Sequence, residues 1–202
     1  MGRRRRRPAE VHGVVLFPGA GTASDHPSLV ALADALDPLP VFRRDFPYRL
    51  AGRKAPDRAP VLVAAVRDAV AEVCVELGTT PEHLVLGGRS MGGRMCTMAV
   101  AGRPDGEPLP AAGVLLLGYP LHPPAKPENL RTEHLPDVDV PALFISGDRD
   151  PFGTPDELAA ALELVGGPVT SATVPGARHE LKDCDELVAR TVRKWLGLPV
   201  TR

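Results

Sequence analysis

Short apolar runs recur along the chain and are separated by longer segments in which hydrophobic residues have helical spacing. Most of these runs are nearly continuous, which is typical of strands buried on both faces of a parallel sheet. Val41–Phe46 is a weaker strand candidate than the others. The five clear candidates are Val14–Phe17, Leu84–Leu86, Val114–Leu117, Ala142–Ile145 and Val169–Val174.

Three segments between these runs predict helices with recognisable ends. From Arg58 to Leu77 the apolar residues follow a 3.6-residue spacing, and Gly78 stands where a C-terminal cap is expected. Thr154–Glu157 supplies an N-cap threonine, a first-turn proline and a capping-box glutamate for the next helix.

Asp183 and Glu186 predict a similar start for the last helix, which runs to Trp195 and stops at Gly197. Strands that alternate with helices in this way predict an α/β fold, a mostly parallel sheet sandwiched by helices with right-handed crossovers. The sequence has no internal repeat and no linker that would separate two cores, and 202 residues suit one domain. We therefore expect a single domain over residues 11–202.

Charge is distributed unevenly between the N-terminus and the rest of the chain. Arg3–Arg7 is an unbroken run of arginines, and without it 19 basic and 25 acidic residues leave a net charge of −6. The net negative charge of the rest of the chain disfavours nucleic acid as a partner, because nucleic-acid binding requires a basic surface. We expect residues 1–10 to form a disordered basic tail, although the tail could touch nucleic acid or anionic lipid.

The remaining composition excludes further classes of protein. No apolar run approaches the roughly 20 residues that cross a bilayer, so we expect no membrane association. Cys74, Cys96 and Cys184 are scattered and odd in number, which disfavours a disulfide framework or a metal site and suits a reducing cytoplasm. The sequence predicts no particular oligomeric state.

The strongest chemical signal is Gly88-x-Ser90-x-Gly92, which lies between a predicted strand and a helical stretch, Arg94–Val100. A serine on a tight strand-to-helix turn has a strained backbone, and the flanking glycines leave room for it. The alternative is a plain glycine turn, and the strand–turn–helix context argues against it. We therefore predict Ser90 as a nucleophile at a helix N-terminus.

A serine nucleophile needs a base, and the partners are expected later in the chain in the order acid, then histidine. His179 is the histidine that follows the final strand. Asp148 and Asp150 both follow the strand before it, and we favour Asp150 as the acid. Asp148 is expected to accept hydrogen bonds from nearby turn amides.

The turn Phe17–Gly21 is rich in small residues, so its amides can approach a ligand closely. We expect the amides of Ala20 and Met91 to form an oxyanion hole. The alternative is a phosphate-binding glycine loop. The residues that such a loop requires, a following Lys-Ser/Thr or a G-x-G-x-x-G pattern, are missing, so no nucleotide or other cofactor is predicted.

Together these residues resemble the α/β-hydrolase superfamily over essentially the whole chain. Gly87–Arg94, Pro18–Gly21, Asp25–Pro27 and Gly118–Pro124 are more narrowly similar to a small uncapped bacterial branch and to the hydrolase-like domain of an animal chromatin-complex subunit. The resemblance implies Ser90, Asp150 and His179 as a catalytic triad, with the oxyanion hole given above. One departure is Pro18, which replaces the histidine that commonly opens this turn.

Gly118–Pro141 is the segment where members of this superfamily carry a lid, and it is too short here for more than a brief helix near Glu128–Arg131. We expect it to form one wall of an open, shallow pocket. Arg89 and Arg94 could attract an anionic substrate, but we expect them to pair with Asp25.

The expected activity is that of a serine hydrolase acting on the ester or thioester of a small acyl molecule. The alternative is a non-catalytic scaffold that kept the fold, and fold alone does not decide between the two.

Overall fold

The computed structural model describes residue 8, residues 10–104 and residues 106–199. Six strands form one parallel sheet in the order β2-β1-β3-β4-β5-β6. The strands are β1 (Gly13–Phe17), β2 (Val41–Arg43), β3 (Leu84–Arg89), β4 (Gly113–Leu117), β5 (Ala142–Gly147) and β6 (Val169–Val174). This sheet confirms the α/β fold predicted from the sequence.

Helices cover both faces of the sheet. They are α1 (Pro27–Ala35), α2 (Pro47–Leu50), α3 (Ala59–Leu77), α4 (Met91–Val100), α5 (Pro155–Leu162) and α6 (Asp185–Leu196), with 3₁₀ turns at Pro81–His83 and Leu135–Asp137. Buried residues of α3, α4 and α5 belong to one hydrophobic cluster, and those of α1 and α6 belong to a second. The sheet lies between the two clusters.

The apolar runs of the sequence follow from this position. In β1, Val15 and Phe17 point into the first cluster while Val14 and Leu16 point into the second, and all four are fully buried. Because successive side chains of a strand alternate between faces, a strand covered on both sides has no position for a polar residue.

The predicted ends at Gly78 and at Thr154 are confirmed. Gly78 adopts a left-handed conformation after α3, and its amide donates to the carbonyl of Cys74 or Val75. Thr154 and Glu157 form the capping box at the start of α5. These signals are local in sequence, which is why they predict the structure well.

The predicted start of the last helix is wrong. Cys184 is the N-cap residue of α6 and makes no side-chain cap hydrogen bond. Asp183 has a φ of 59°, so it lies in the turn that precedes the helix. The predicted stop is confirmed, because Gly197 caps α6 in a left-handed conformation.

The segment Gly118–Pro141 also differs in detail from its prediction. Its helical turn is 3₁₀ and lies at Leu135–Asp137, whereas residues 128–131 are not helical. This segment contains no α-helix, so it has no lid-like helix over the sheet edge. The sequence pattern also missed α1, which is N-capped by His26.

Two predictions concern the membrane and the N-terminal tail. Within the described part of the chain, no helix has both the length and the hydrophobicity that a membrane span requires. Of the predicted tail, residues 1–7 and residue 9 lie outside the described residues. Pro8, which lies within the predicted tail, is buried.

Candidate active site

The predicted site residues lie beyond the carboxyl ends of four strands. Ala20 follows β1, Ser90 follows β3, Asp150 follows β5 and His179 follows β6. Since all strands of the sheet are parallel, their carboxyl ends meet at one edge, where ligands bind in open α/β sheets.

Ser90 occupies the turn between β3 and α4. Its φ of 48° and ψ of −115° are rare for a residue with a side chain, and the turn is held by a hydrogen bond of 2.8 Å from its amide to the carbonyl of Leu117. A strained conformation of this kind persists only where the surrounding structure enforces it, and it clusters at functional sites. The structure thus places Ser90 in the strand–turn–helix context that the sequence predicts.

The two glycines beside this turn are required by close packing against β1. A Cβ at Gly88 or at Gly92 would overlap the carbonyl oxygen of Phe17, and Gly88 also has a φ of 146°. Any side chain at either position would therefore push the turn away from β1.

His179 joins Ser90 to Asp150 through a chain of hydrogen bonds. Its Nε2 atom is 2.8 Å from Ser90 Oγ, and its Nδ1 atom is 2.8 Å from Asp150 Oδ2 and 3.0 Å from Oδ1. The carboxylate of Asp150 can only accept, so we assign the imidazole proton to Nδ1. Nε2 is then free to accept the hydroxyl proton of Ser90.

Phe152, which the sequence pattern did not reveal, holds both partners of the serine. Its backbone amide donates to Asp150 Oδ1 at 2.8 Å, and its ring stacks on the imidazole of His179 with the centroids 4.0 Å apart. The side chains of Asp150 and His179 are 2% and 10% exposed. An aromatic residue two positions after a candidate acid is the sequence signal that could have found it.

Asp148 has a different environment from Asp150. It is exposed, and its carboxylate accepts a hydrogen bond of 2.7 Å from the amide of Gly176. The prediction of an amide partner is therefore met, but the amide belongs to the loop after β6 instead of the local turn. This contact ties the loop that carries His179 to the end of β5.

The predicted oxyanion donors, Ala20 and Met91, line the same cleft as Ser90. Met91 is the first residue of α4, and the first amides of a helix have no acceptor within it. Ala20 lies in the turn closed by the hydrogen bond from the Thr22 amide to the Gly19 carbonyl. A Cβ at Gly19 would be 3.6 Å from that of Ser90, so this turn passes close to the serine.

Residues 10–192 match the family described as the alpha/beta hydrolase domain. The chain belongs to this family. The match covers the strands, helices and loops that form the site.

Solved structures give the same fold for this α/β-hydrolase domain. A dienelactone hydrolase from Anabaena variabilis is 22% identical, with a TM-score of 0.71 over 95% of this chain and 88% of that one. Est1E from Butyrivibrio proteoclasticus is 15% identical, with a TM-score of 0.72 over 94% and 88%. A monoacylglycerol lipase from Paleococcus ferrophilus is 17% identical, with a TM-score of 0.66 over 97% and 98%.

Arg89 of the α/β-hydrolase domain does not have the partner predicted for it. We expected Asp25, but the guanidinium donates to His26 Nε2 at 2.6 Å and to the carbonyl of Glu180 at 3.1 Å. Burial lowers the pKa of Arg89, and burial together with Arg89 lowers the pKa of His26. A neutral imidazole can accept from the guanidinium, whereas a protonated one would repel it.

A cleft of about 510 Å³ opens beside Ser90. Gly19 and Ala20 line one part of it, and Pro120 and Arg131 contribute from the segment predicted to form a wall. That prediction holds for these two residues. The volume is within the range of sites for small organic ligands.

Glu10, His12 and His83 are the described residues whose grouping could suit a metal ion, with ligand atoms within 4.8 Å of one another. The two imidazole rings are stacked with centroids 4.3 Å apart and planes at 14°. Nitrogen lone pairs lie in the plane of the ring, so those of stacked rings run side by side and do not converge on one ion. The arrangement therefore suits ring stacking better than coordination.

Proposed function

We propose that this α/β-hydrolase domain is a serine hydrolase that cleaves a carboxylic ester or thioester. The observation that carries the proposal is the hydrogen-bond chain from Ser90 Oγ through His179 to Asp150, with both linking contacts at 2.8 Å. These distances are within the range in which a base takes a proton from its nucleophile. The names of two structural neighbours, a dienelactone hydrolase and a monoacylglycerol lipase, support hydrolysis as the reaction class.

In the first step, Ser90 Oγ attacks the carbonyl carbon of the substrate and its proton passes to His179 Nε2. Asp150 accepts the hydrogen bond from Nδ1 and stabilises the imidazolium that results. Because Asp150 is buried and its other oxygen is held by the Phe152 amide, the imidazole keeps one orientation during the transfer.

The carbonyl oxygen becomes negatively charged in the tetrahedral intermediate. The amides of Ala20 and Met91 donate hydrogen bonds to it, and the N-terminus of α4 favours negative charge at this position. The carbon–oxygen or carbon–sulfur bond to the leaving group then breaks, and His179 returns its proton to that group. Ser90 is left as an acyl ester.

Water completes the cycle. His179 takes a proton from a water molecule, whose oxygen attacks the acyl carbon, and the proton then returns to Ser90 Oγ as the acid leaves. Every proton in this cycle is carried by His179.

We also propose a reducing cytoplasmic location, which three unpaired thiols support.

Hydrolysis of a short p-nitrophenyl ester tests the proposal. Ser90→Ala removes the nucleophile and is expected to lower kcat by a factor of about 10⁴ or more, as triad replacements do elsewhere. Ser171→Ala, at an exposed position of β6, is the matched control and is expected to retain the wild-type rate. Equal rates for wild type and Ser90→Ala would favour the non-catalytic scaffold instead.

A further inference from the structure

Arg94 and Arg131 line the cleft that opens beside Ser90. Arg94 lies one helical turn after Ser90 on α4, and its amide donates to the Ser90 carbonyl at 3.1 Å. Arg94 therefore lines the same cleft as Ser90, close to it along the chain.

Arg131 reaches the same cleft from the loop after β4, and this loop is firmly held. The backbone amide of Arg131 donates to the carbonyl of Leu121 at 2.8 Å, and the backbone carbonyl of Arg131 accepts from the hydroxyl of Tyr119 at 2.8 Å. The guanidinium donates to the carbonyl of Pro120 at 3.2 Å. Both the backbone and one end of the side chain are thus fixed before a ligand arrives.

The positive charge of Arg94 is poorly compensated by the protein. The acidic contact of Arg94 is Glu133 at 4.0 Å, whose side chain is 69% exposed. The Nε atom of Arg94 is buried and has no hydrogen-bond partner among the described residues. A solvent-exposed pair at this distance contributes little, and a buried donor without an acceptor costs stability.

Arg131 adds a second positive charge next to the first. Burial lowers its pKa, and the neighbouring charge of Arg94 lowers it further. Two like charges in a partly buried wall repel each other, and an anion placed between them would remove this cost.

Two other charged residues of the cleft, Asp57 and Arg89, already have partners. Both carboxylate oxygens of Asp57 accept from Arg53, at 2.7 and 2.9 Å. Arg89 is bound by His26 and by the backbone carbonyl of Glu180. The positive charge left for a ligand therefore lies at Arg94 and Arg131.

We propose that the preferred substrate is an ester that carries a carboxylate, which Arg94 and Arg131 bind while the ester carbonyl lies at Ser90; this inference rests on the proposed function. A planar guanidinium with several donors matches the geometry of a carboxylate, often with two parallel hydrogen bonds. The carboxylate is not changed in the reaction and serves to hold and orient the substrate. It belongs either to the acyl half or to the alcohol half of the ester.

Matched pairs of esters test the inference and distinguish the two halves. Monomethyl adipate against methyl hexanoate places the charge in the acyl half, and acetoxybutyrate against butyl acetate places it in the alcohol half. Release of acid is used to measure kcat/KM for each ester. The quantity compared is the ratio of kcat/KM for the charged ester to that for the neutral ester. We expect wild type to prefer the charged member of at least one pair.

Arg94→Gln and Arg131→Gln are each expected to lower that ratio by about tenfold or more, since a lost charge-assisted hydrogen bond has this order of effect. Arg103→Gln is the matched control, because Arg103 is 52% exposed and pairs with Asp137 outside the cleft. This control is expected to keep the wild-type ratio.

The inference is overturned if wild type prefers neither charged ester, or if folded Arg94→Gln and Arg131→Gln keep the wild-type ratio. Either result leaves the proposed function intact as long as neutral esters are hydrolysed through Ser90. Should the variants not fold, adipate must still slow the reaction of wild-type Ser90 with a fluorophosphonate more than hexanamide does. If adipate and hexanamide slow the labelling of Ser90 equally, the inference is also overturned.

Discussion

Asp148 and Asp150 stand two positions apart after β5, yet they have different partners. Asp150 is buried and holds His179, whereas Asp148 is exposed and binds the amide of Gly176. Asp150→Asn is therefore expected to keep the fold and to lower the esterase rate by up to about 10⁴. The corresponding change in a serine protease triad has this effect, because the amide favours the wrong tautomer of the histidine.

Asp148→Asn is the matched control for this prediction. It weakens one exposed hydrogen bond and is expected to cost about 1 kcal/mol of unfolding free energy or less, with most of the rate retained. Ester hydrolysis and thermal unfolding of both variants give the comparison. A folded Asp148→Asn protein without activity, beside an active Asp150→Asn protein, would assign the acid to Asp148.

His134 is a buried histidine that the proposed chemistry does not use. Its Nε2 atom lies 2.9 Å from the hydroxyl of Thr97, which itself donates to the Arg94 carbonyl, so Nε2 is the donor in this contact. Its Nδ1 atom has no hydrogen-bond partner among the described residues. A second proton would create a buried charge with an unpaired donor.

Burial, followed by the charge of Arg94, lowers the pKa of His134 to about 4. The ordinary value of a histidine in an unfolded chain is about 6.5. Between these two pH values the unfolded chain binds a proton that the folded chain does not, so the free energy of unfolding decreases as the pH falls, by about 3 kcal/mol in total.

Chemical denaturation of wild type and His134→Gln over this pH range checks the prediction. The variant lacks the titrating group, so the stability difference between the two proteins should narrow as the pH falls from about 6.5 to 4. His83→Gln controls for the loss of a partly exposed histidine. A difference that is constant with pH would show that His134 does not have the lowered pKa.

Arg89 connects three elements around the site. It ends β3 next to Ser90, it contacts the histidine that caps α1, and it binds the Glu180 carbonyl in the loop that carries His179. Arg89 is 7% exposed, so these contacts are largely shielded from water. We therefore predict that Arg89 positions His179.

Arg89→Gln is expected to lower kcat by about tenfold or more and to change KM for a neutral ester little, because the loss is in the alignment of His179 with Ser90. Arg103→Gln is again the control. Partial recovery of kcat in Arg89→Lys, which keeps one donor, would support positioning. A change in thermal stability without a change in kcat would reduce Arg89 to a structural role.

Elements with strong local signals were predictable from the sequence. The strands of a sheet covered on both faces read as apolar runs, and Gly78, Thr154 and Gly197 mark helix ends through their own backbone or side-chain preferences. The start of α6 was not predictable in this way. The turn before it has positive φ values at Leu181 and Asp183, which no local rule for helix starts includes.

The site was predictable only in part, for a related reason. The order of Ser90, Asp150 and His179 along the chain indicates their roles through the resemblance, and the structure brings these three side chains together. The partners of Arg89 and the approach of Arg131 to Arg94 depend on contacts between segments that are far apart in sequence. Neither has a signal within a single segment.

The parallel sheet as a whole is what assembles the site. Four loops that follow different strands meet at one edge, and the segment Gly118–Pro141 lies beside the cleft without an α-helix. Ser90 is thus reachable from outside, while the side chains of His179 and Asp150 stay largely buried. A reagent that reacts with an activated serine should therefore reach it in the folded protein.

Labelling with a fluorophosphonate, followed by mass spectrometry of the intact protein and its peptides, tests the central claim most directly. An activated serine is expected to form one covalent adduct on the peptide that contains Ser90, in wild type and in Ser171→Ala, and none in Ser90→Ala. Wild-type protein that is folded and remains unlabelled at Ser90 would contradict the account.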